Sequence, residues 1–184
     1  MNSLTALAYE NTEHVLCLLL LMARLGDIGT TFLATPTLAL EMNAVVRRLG
    51  WWFALPTMLI CLLPYYSVPL AVVALILSLL VAASNASKLW IVRAAGEREY
   101  LALLHGFARK SRRSHALLGV LASSVFSTLA GGVILFFYPS QEDIGFWLGL
   151  GVVMYGVSMG IHGASFIFRL FREANGNAVQ PPAA

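Results

Sequence analysis

Continuous apolar runs, separated by short polar stretches, cover 14–34, 51–66, 69–92, 115–138 and 144–168. A helix needs about 20 apolar residues to cross a hydrocarbon core of ~30 Å, and all five runs reach or approach that length. Barrel strands would alternate lipid-facing and lumen-facing side chains, so unbroken runs predict helices instead. The expected fold is all-α, a polytopic transmembrane bundle of five spans in one domain over 1–172, followed by a short disordered tail over 173–184. The 51–66 run is the shortest and carries Pro56 and Pro64, so it is expected to be kinked, tilted or begun earlier, within 38–50. The polar 93–114 segment is expected to extend the third span as a helix and then lie on the membrane surface. Its basic residues serve there as an anchor or as a contact for anionic headgroups.

Composition agrees with this pattern and excludes a soluble domain. Of 184 residues, 59% are apolar and 11% charged, less than half the roughly 25% charge of globular domains. The net charge of +3 does not indicate nucleic acid, because the basic residues lie within or beside apolar runs. Arg47 and Arg48 follow the first run, Arg93, Arg98, Arg109, Lys110, Arg112 and Arg113 separate the third and fourth, and Arg169 and Arg172 follow the fifth. One side of the bundle then holds all ten, and the other holds Glu10, Glu13, Glu142 and Asp143. The positive-inside rule predicts an outside N-terminus and a cytoplasmic C-terminus. Trp51, Trp52 and Trp90 would mark the inner edge, and Tyr65, Tyr66, Tyr138 and Trp147 the outer. The first thirteen residues lack a basic n-region and no convincing cleavage site follows, so the first span is expected to be retained. The expected location is a bacterial inner membrane, multi-pass. Cys17 and Cys61 fall within spans without metal-type spacing and imply buried thiols.

Polar residues inside the spans are costly and therefore informative. Arg24 and Asp27 lie near the middle of the first span, where a charge costs about 2.5 to 3.5 kcal/mol on insertion scales. They are three apart and can pair, and Thr31 shares their narrow face. Thr30 lies beside that face, and Glu41 and Asn43 follow in the linker. In the third span Ser78 and Asn85 share a face; an interhelical hydrogen bond is the cheapest fate for Asn85, while Lys88 can snorkel to the headgroups. With His162 of the fifth span, Arg24, Asp27, Thr30, Thr31, Glu41, Asn43 and Asn85 form the candidate buried polar cluster, placed mid-membrane or toward the cytoplasmic half.

The arrangement Gly26-Asp27-Ile28-Gly29-Thr30-Thr31 followed by Glu41-Met42-Asn43 resembles a group of small uncharacterised bacterial polytopic membrane proteins with an Asp-x-x-Thr-Thr span and a following Glu-x-Asn-Pro turn. The likeness covers about a sixth of the chain, and Ala44 stands where that pattern has proline. It implies a membrane protein with a polar cluster and brings no activity with it.

The fifth span carries Gly145, Gly149, Gly156, Gly160 and Gly163, which project within about 60° of one another at 100° per residue. Such a stripe lets another helix approach closely. Ser123, Ser127 and Gly131 of the fourth span are the expected counterpart, because the short connection makes these spans antiparallel neighbours; a second copy of the chain is the other candidate. Tyr155, Ser158, His162, Ser165 and Arg169 form a polar face beside the stripe.

No zinc H-E-x-x-H, nucleophile elbow, phosphate loop or EF-hand pattern is present. No catalytic residue, cofactor or metal is assigned. The expected function is a non-catalytic inner-membrane subunit or scaffold, partnered by the lipid bilayer and by a second copy or another membrane protein. The alternative is a small oligomeric proton-coupled or solute transporter using Asp27 and His162. An intramembrane metal-dependent enzyme ranks below both.

Overall fold

The computed structural model describes residues 11–176, and the described part is helical with no strand. Helix α1 (Thr12–Ala34) ends at Thr35, whose N–H still reaches Thr31 O. A turn follows in which Leu38 takes a left-handed φ of 59°. That conformation costs a side-chain-bearing residue roughly 1–2 kcal/mol; burial of Leu38 and bonds from Leu38 N to Thr35 O and from Glu41 N to Leu38 O hold it.

The second span begins earlier than its apolar run and is interrupted. It comprises α2 (Ala44–Leu49), a 3-10 turn (Gly50–Phe53), α3 (Ala54–Met58) and a second 3-10 segment (Leu59–Tyr65). Asn43 starts it, its side chain accepting bonds from the N–H groups of Val45 and Val46. Pro64 lies within the last segment, and a proline there has no N–H for an α-helical bond and crowds the preceding turn.

Helix α4 (Val68–Ala95) opens with Ser67 accepting from Leu70 N and stops at Gly96, whose φ of 89° suits glycine. The third span therefore extends only three residues into the 93–114 segment before it breaks at Gly96. The chain restarts as the amphipathic α5 (Glu97–Lys110), then α6 (Arg113–Phe137) and α7 (Ile144–Gly176). Helix α7 outruns the apolar 144–168 stretch because Leu170, Phe171 and Ala174 pack with Ala108 of α5 in a buried apolar cluster. Residues 173–176 are thus helix rather than tail, and 177–184 lie outside the described residues.

Helix α4 sits between two partners, α1 on one side and α7 on the other, while α6 packs along α7 and α5 against its C-terminal end. The buried positions are mostly small, among them Ala23, Ala71, Ser78 and the α7 glycines. Large apolar side chains point outward instead, Trp52 at 79% and Phe136 at 80% exposure. Lipid tails solvate such side chains as well as a protein core does, so helices associate through small residues and polar contacts. Five segments, Thr12–Ala34, Ala44–Tyr65, Val68–Ala95, Arg113–Phe137 and Ile144–Gly176, are long and apolar enough to cross a membrane.

Contacts at the two ends define the path. At one end Arg169 Nη2 donates to Ala39 O, Arg109 Nε to Ala174 O and Arg47 Nη1 to Glu41 O. The first linker, α5 and the end of α7 meet there, and with them the basic segments. At the other end His14 Nδ1 lies 2.8 Å from Tyr65 Oη, and Trp147 Nε1 donates to Gln141 O.

Candidate functional site

The polar face of α1 turns toward α4. Arg24 Nη1 donates to Asp27 Oδ2 at 2.5 Å, with both side chains only 14% exposed. Thr30 Oγ1 donates to Asp27 O at 3.1 Å, and Asn85 Nδ2 donates to Thr31 Oγ1 at 2.9 Å. A Cβ on Gly26 would meet Ala82 Cβ at 4.0 Å, an ordinary contact, so this approach does not require glycine there. Asn85 therefore makes the interhelical bond expected for a buried amide, and the Arg24–Asp27 pair neutralises itself within α1. Arg24 Nε is buried without a hydrogen-bond partner, so the pair is compensated in charge but not in every donor.

Glu41 and Asn43 shape the turn that follows. Glu41 Oε1 accepts from Asn43 N at 2.7 Å, and Asn43 caps α2. Ala44 is the first residue of α2, a position where proline is also favoured because its missing N–H has no helical partner to lose. The Glu41 carboxylate is within electrostatic reach of Asp27, Lys88 and Arg169. His162 stands apart: it is half-buried on α7, which packs against α4, α5 and α6, and it forms no hydrogen bond or ion pair among the described residues. No group of three His, Cys, Asp or Glu side chains comes together among the described residues.

A tighter polar node lies just beyond the predicted cluster. The Glu97 carboxylate at the start of α5 accepts from Thr35 Oγ1, from Thr37 N at 3.2 Å and from Ala39 N at 3.1 Å. Thr35 Oγ1 in turn accepts from Leu40 N at 3.0 Å. One carboxylate thereby binds the whole 35–40 turn to the break between α4 and α5. Sequence reading missed it because the pairing spans 62 residues. A Gly-Glu pair opening an amphipathic helix was the available signal.

Burial alone would raise the Glu97 pKa, but the three hydrogen bonds outweigh it and hold the carboxyl below its ordinary value of 4.5. A depressed pKa means that the node's stabilisation is complete above about pH 4.5 and is lost as pH falls through the lower, folded-state value. Glu97→Gln should cost about 2 kcal/mol, the range for hydrogen bonds to a charged group. It should speed hydrogen exchange of residues 35–40 at neutral pH and abolish the acid-dependent rise in that exchange. Equal exchange in parent and variant would show that Glu97 does not hold the turn.

The glycine stripe faces α6. A Cβ built on Gly156 would lie 2.7 Å from Thr128 N, on Gly160 2.5 Å from Ser124 Oγ, and on Gly163 2.6 Å from Val120 Cγ1. Gly149 stands over Gly131, with 3.1 Å from its would-be Cβ to Gly131 O, and Gly145 lies under the Tyr138 ring. Ser124 Oγ donates to Gly156 O at 2.7 Å. The α6 face is therefore Val120, Ser124, Thr128 and Gly131. Gly131 was expected there, but Ser123 is exposed and bonds back to Gly119 O. Gly151 lies on another side of α7, against Ile76 of α4.

No protein-family model, characterised protein or solved structure matches the chain.

Proposed function

We propose that the protein is a non-catalytic helical subunit or scaffold of a bacterial inner membrane, with its N-terminus outside and its C-terminus in the cytoplasm. The observation that carries this reading is how the polar groups within and between the spans are used. Asp27 is answered by Arg24, Thr31 by Asn85, and Ser124 by a carbonyl of α7. The last two contacts fix the register of one helix on another, the first neutralises itself within α1, and little is left to bind a substrate. Cavities of about 750 and 170 Å³ are lined by other residues, and neither includes Asp27 or His162. A carrier that used those two as a pair would need them within one cavity, whereas α1 and α7 lie on opposite sides of α4. The gathering of the basic segments at one end supports the orientation through the positive-inside rule.

Native mass spectrometry of the full chain in mild detergent tests the assembly, with a self-complex or a co-purifying membrane protein as the expected result. A strictly monomeric chain together with proton uptake in proteoliposomes that Asp27→Asn abolishes would establish the carrier reading instead. For orientation, a cysteine introduced at Ser140 should react only with reagent supplied from the outer side. Labelling from the cytoplasmic side alone would invert the topology.

A further inference from the structure

The basic end of the bundle holds a cavity of about 750 Å³ between the start of α2, the start of α6 and the last turns of α7. Four arginines line it, Arg47, Arg113, Arg169 and Arg172, and no carboxylate does. Arg47, Arg113 and Arg172 form no ion pair among the described residues. Two guanidinium groups are held by neutral backbone: Arg169 Nη2 donates to Ala39 O at 2.8 Å, and Arg47 Nη1 to Glu41 O at 3.2 Å. The Arg113 guanidinium lies 3.5 Å over the Phe168 ring, an attraction between cation and aromatic face that leaves its N–H edge free.

These supports orient the cations without neutralising them. Arg169 has its Nε buried with no hydrogen bond, and Glu173 Oε1 stands 3.9 Å from it, too far to accept one. Arg47 lies close enough to Arg169 to repel it. Each guanidinium carries five N–H donors in a planar fork suited to the oxygens of a carboxylate or phosphate. Several such forks converge on one cavity that no carboxylate lines; of the four arginines, Arg169 alone has an ion-pair partner among the described residues, Glu173 at 3.9 Å. The remaining lining includes Phe168 and Phe171, and the cavity lies where the apolar 144–168 run gives way to basic residues. Basic pockets between spanning helices at that level suit lipid phosphates.

We propose that this cavity binds an anionic phosphate group through Arg47, Arg113, Arg169 and Arg172. The phosphate belongs either to the headgroup of an acidic phospholipid or to a free phosphate compound, and the chemistry of recognition is the same. The full chain, delipidated in mild detergent, would be titrated with phosphatidylglycerol, with zwitterionic phosphatidylcholine and with inorganic phosphate. Native mass spectrometry and thermal shift would report binding.

Arg172→Gln alters an exposed side chain and should leave ligand-free melting unchanged, while Arg113→Gln, also exposed, should lower it only slightly through loss of the contact with Phe168. Each should weaken binding about tenfold, the value of one lost charge-assisted contact. Tight retention of phosphatidylglycerol over phosphatidylcholine, lost in these variants, assigns the cavity to a lipid headgroup. Arginine-dependent binding of inorganic phosphate without lipid selectivity assigns it to a soluble phosphate. Equal retention of the two lipids with no response to phosphate overturns the proposal. So does binding of either ligand that both variants leave intact. Should a glutamine variant unfold, Arg172→Lys keeps the charge but not the fork and is expected to bind more weakly than the parent; binding equal to the parent would refute recognition by the fork.

Discussion

Replacing Asp27 with Ala is expected to destabilise the protein by about 3–5 kcal/mol, the usual cost of removing one member of a buried ion pair. The carboxylate accepts from Arg24 at 2.5 Å, and both side chains are 14% exposed. Arg24 Nε is already without a partner, so loss of Asp27 would strand the whole guanidinium within α1. The bond from Thr30 goes to the Asp27 carbonyl and would survive, which confines the effect to the charge. The double change Arg24→Leu with Asp27→Leu removes both charges and should recover most of the loss, because an apolar pair of similar volume often equals or exceeds a buried salt bridge in stability. Thermal unfolding in a single detergent measures both variants. An Asp27→Ala protein that melts with the parent would deny the pair any structural role, and with it the scaffold reading of the first span.

Leucine at both Gly156 and Gly160 should be comparably damaging. Overpacking a close contact costs about 1–3 kcal/mol per site, and the opposing atoms here set the upper end of that range. At Gly156 the first Cβ would already meet Thr128 N at 2.7 Å and Ser124 O at 3.0 Å, both main-chain atoms that cannot rotate aside. At Gly160 the obstacle is the Ser124 hydroxyl, which is engaged with Gly156 O. Helices α6 and α7 must then separate along their shared face. Gly132 supplies the control, since a Cβ there meets nothing within 4 Å; Gly132→Ala should stabilise slightly through helix propensity, by up to about 1 kcal/mol. Loss of stability in the Gly132 variant as large as in the Gly156 and Gly160 variant would falsify the contact as the cause.

Periodicity located most of this architecture because its determinants are local. Apolar runs of sufficient length, the prolines of the second span and the single-faced glycines of the fifth all follow from residues within one helix and its fixed 100° step. The Arg24–Asp27 pair was legible for the same reason, as the partners are three apart. Asn85 illustrates the intermediate case. Its need for an interhelical acceptor followed from its depth in an apolar helix, but nothing in the chain named Thr31, 54 residues away.

Where one helix meets another, local pattern stops being sufficient. Ser123, Ser127 and Gly131 formed a regular row, yet close approach to α7 selects the row through Ser124 and Thr128, because rotation of α6 is set by where backbone can touch backbone. The Glu97 node and the arginine cavity depend on turns, helix starts and helix ends that lie far apart in the chain. His162 likewise falls outside the polar contacts between α1 and α4 through the order in which helices pack. The amino-acid sequence by itself determined the all-helical class, the five helices long and apolar enough to cross a membrane and the charged pair within the first, since each depends on the properties of residues that are neighbours along the chain. Tertiary structure alone decided helix rotation, the partner of each buried polar group and the convergence of arginines at one end, because those depend on steric fit between surfaces that are distant along the chain.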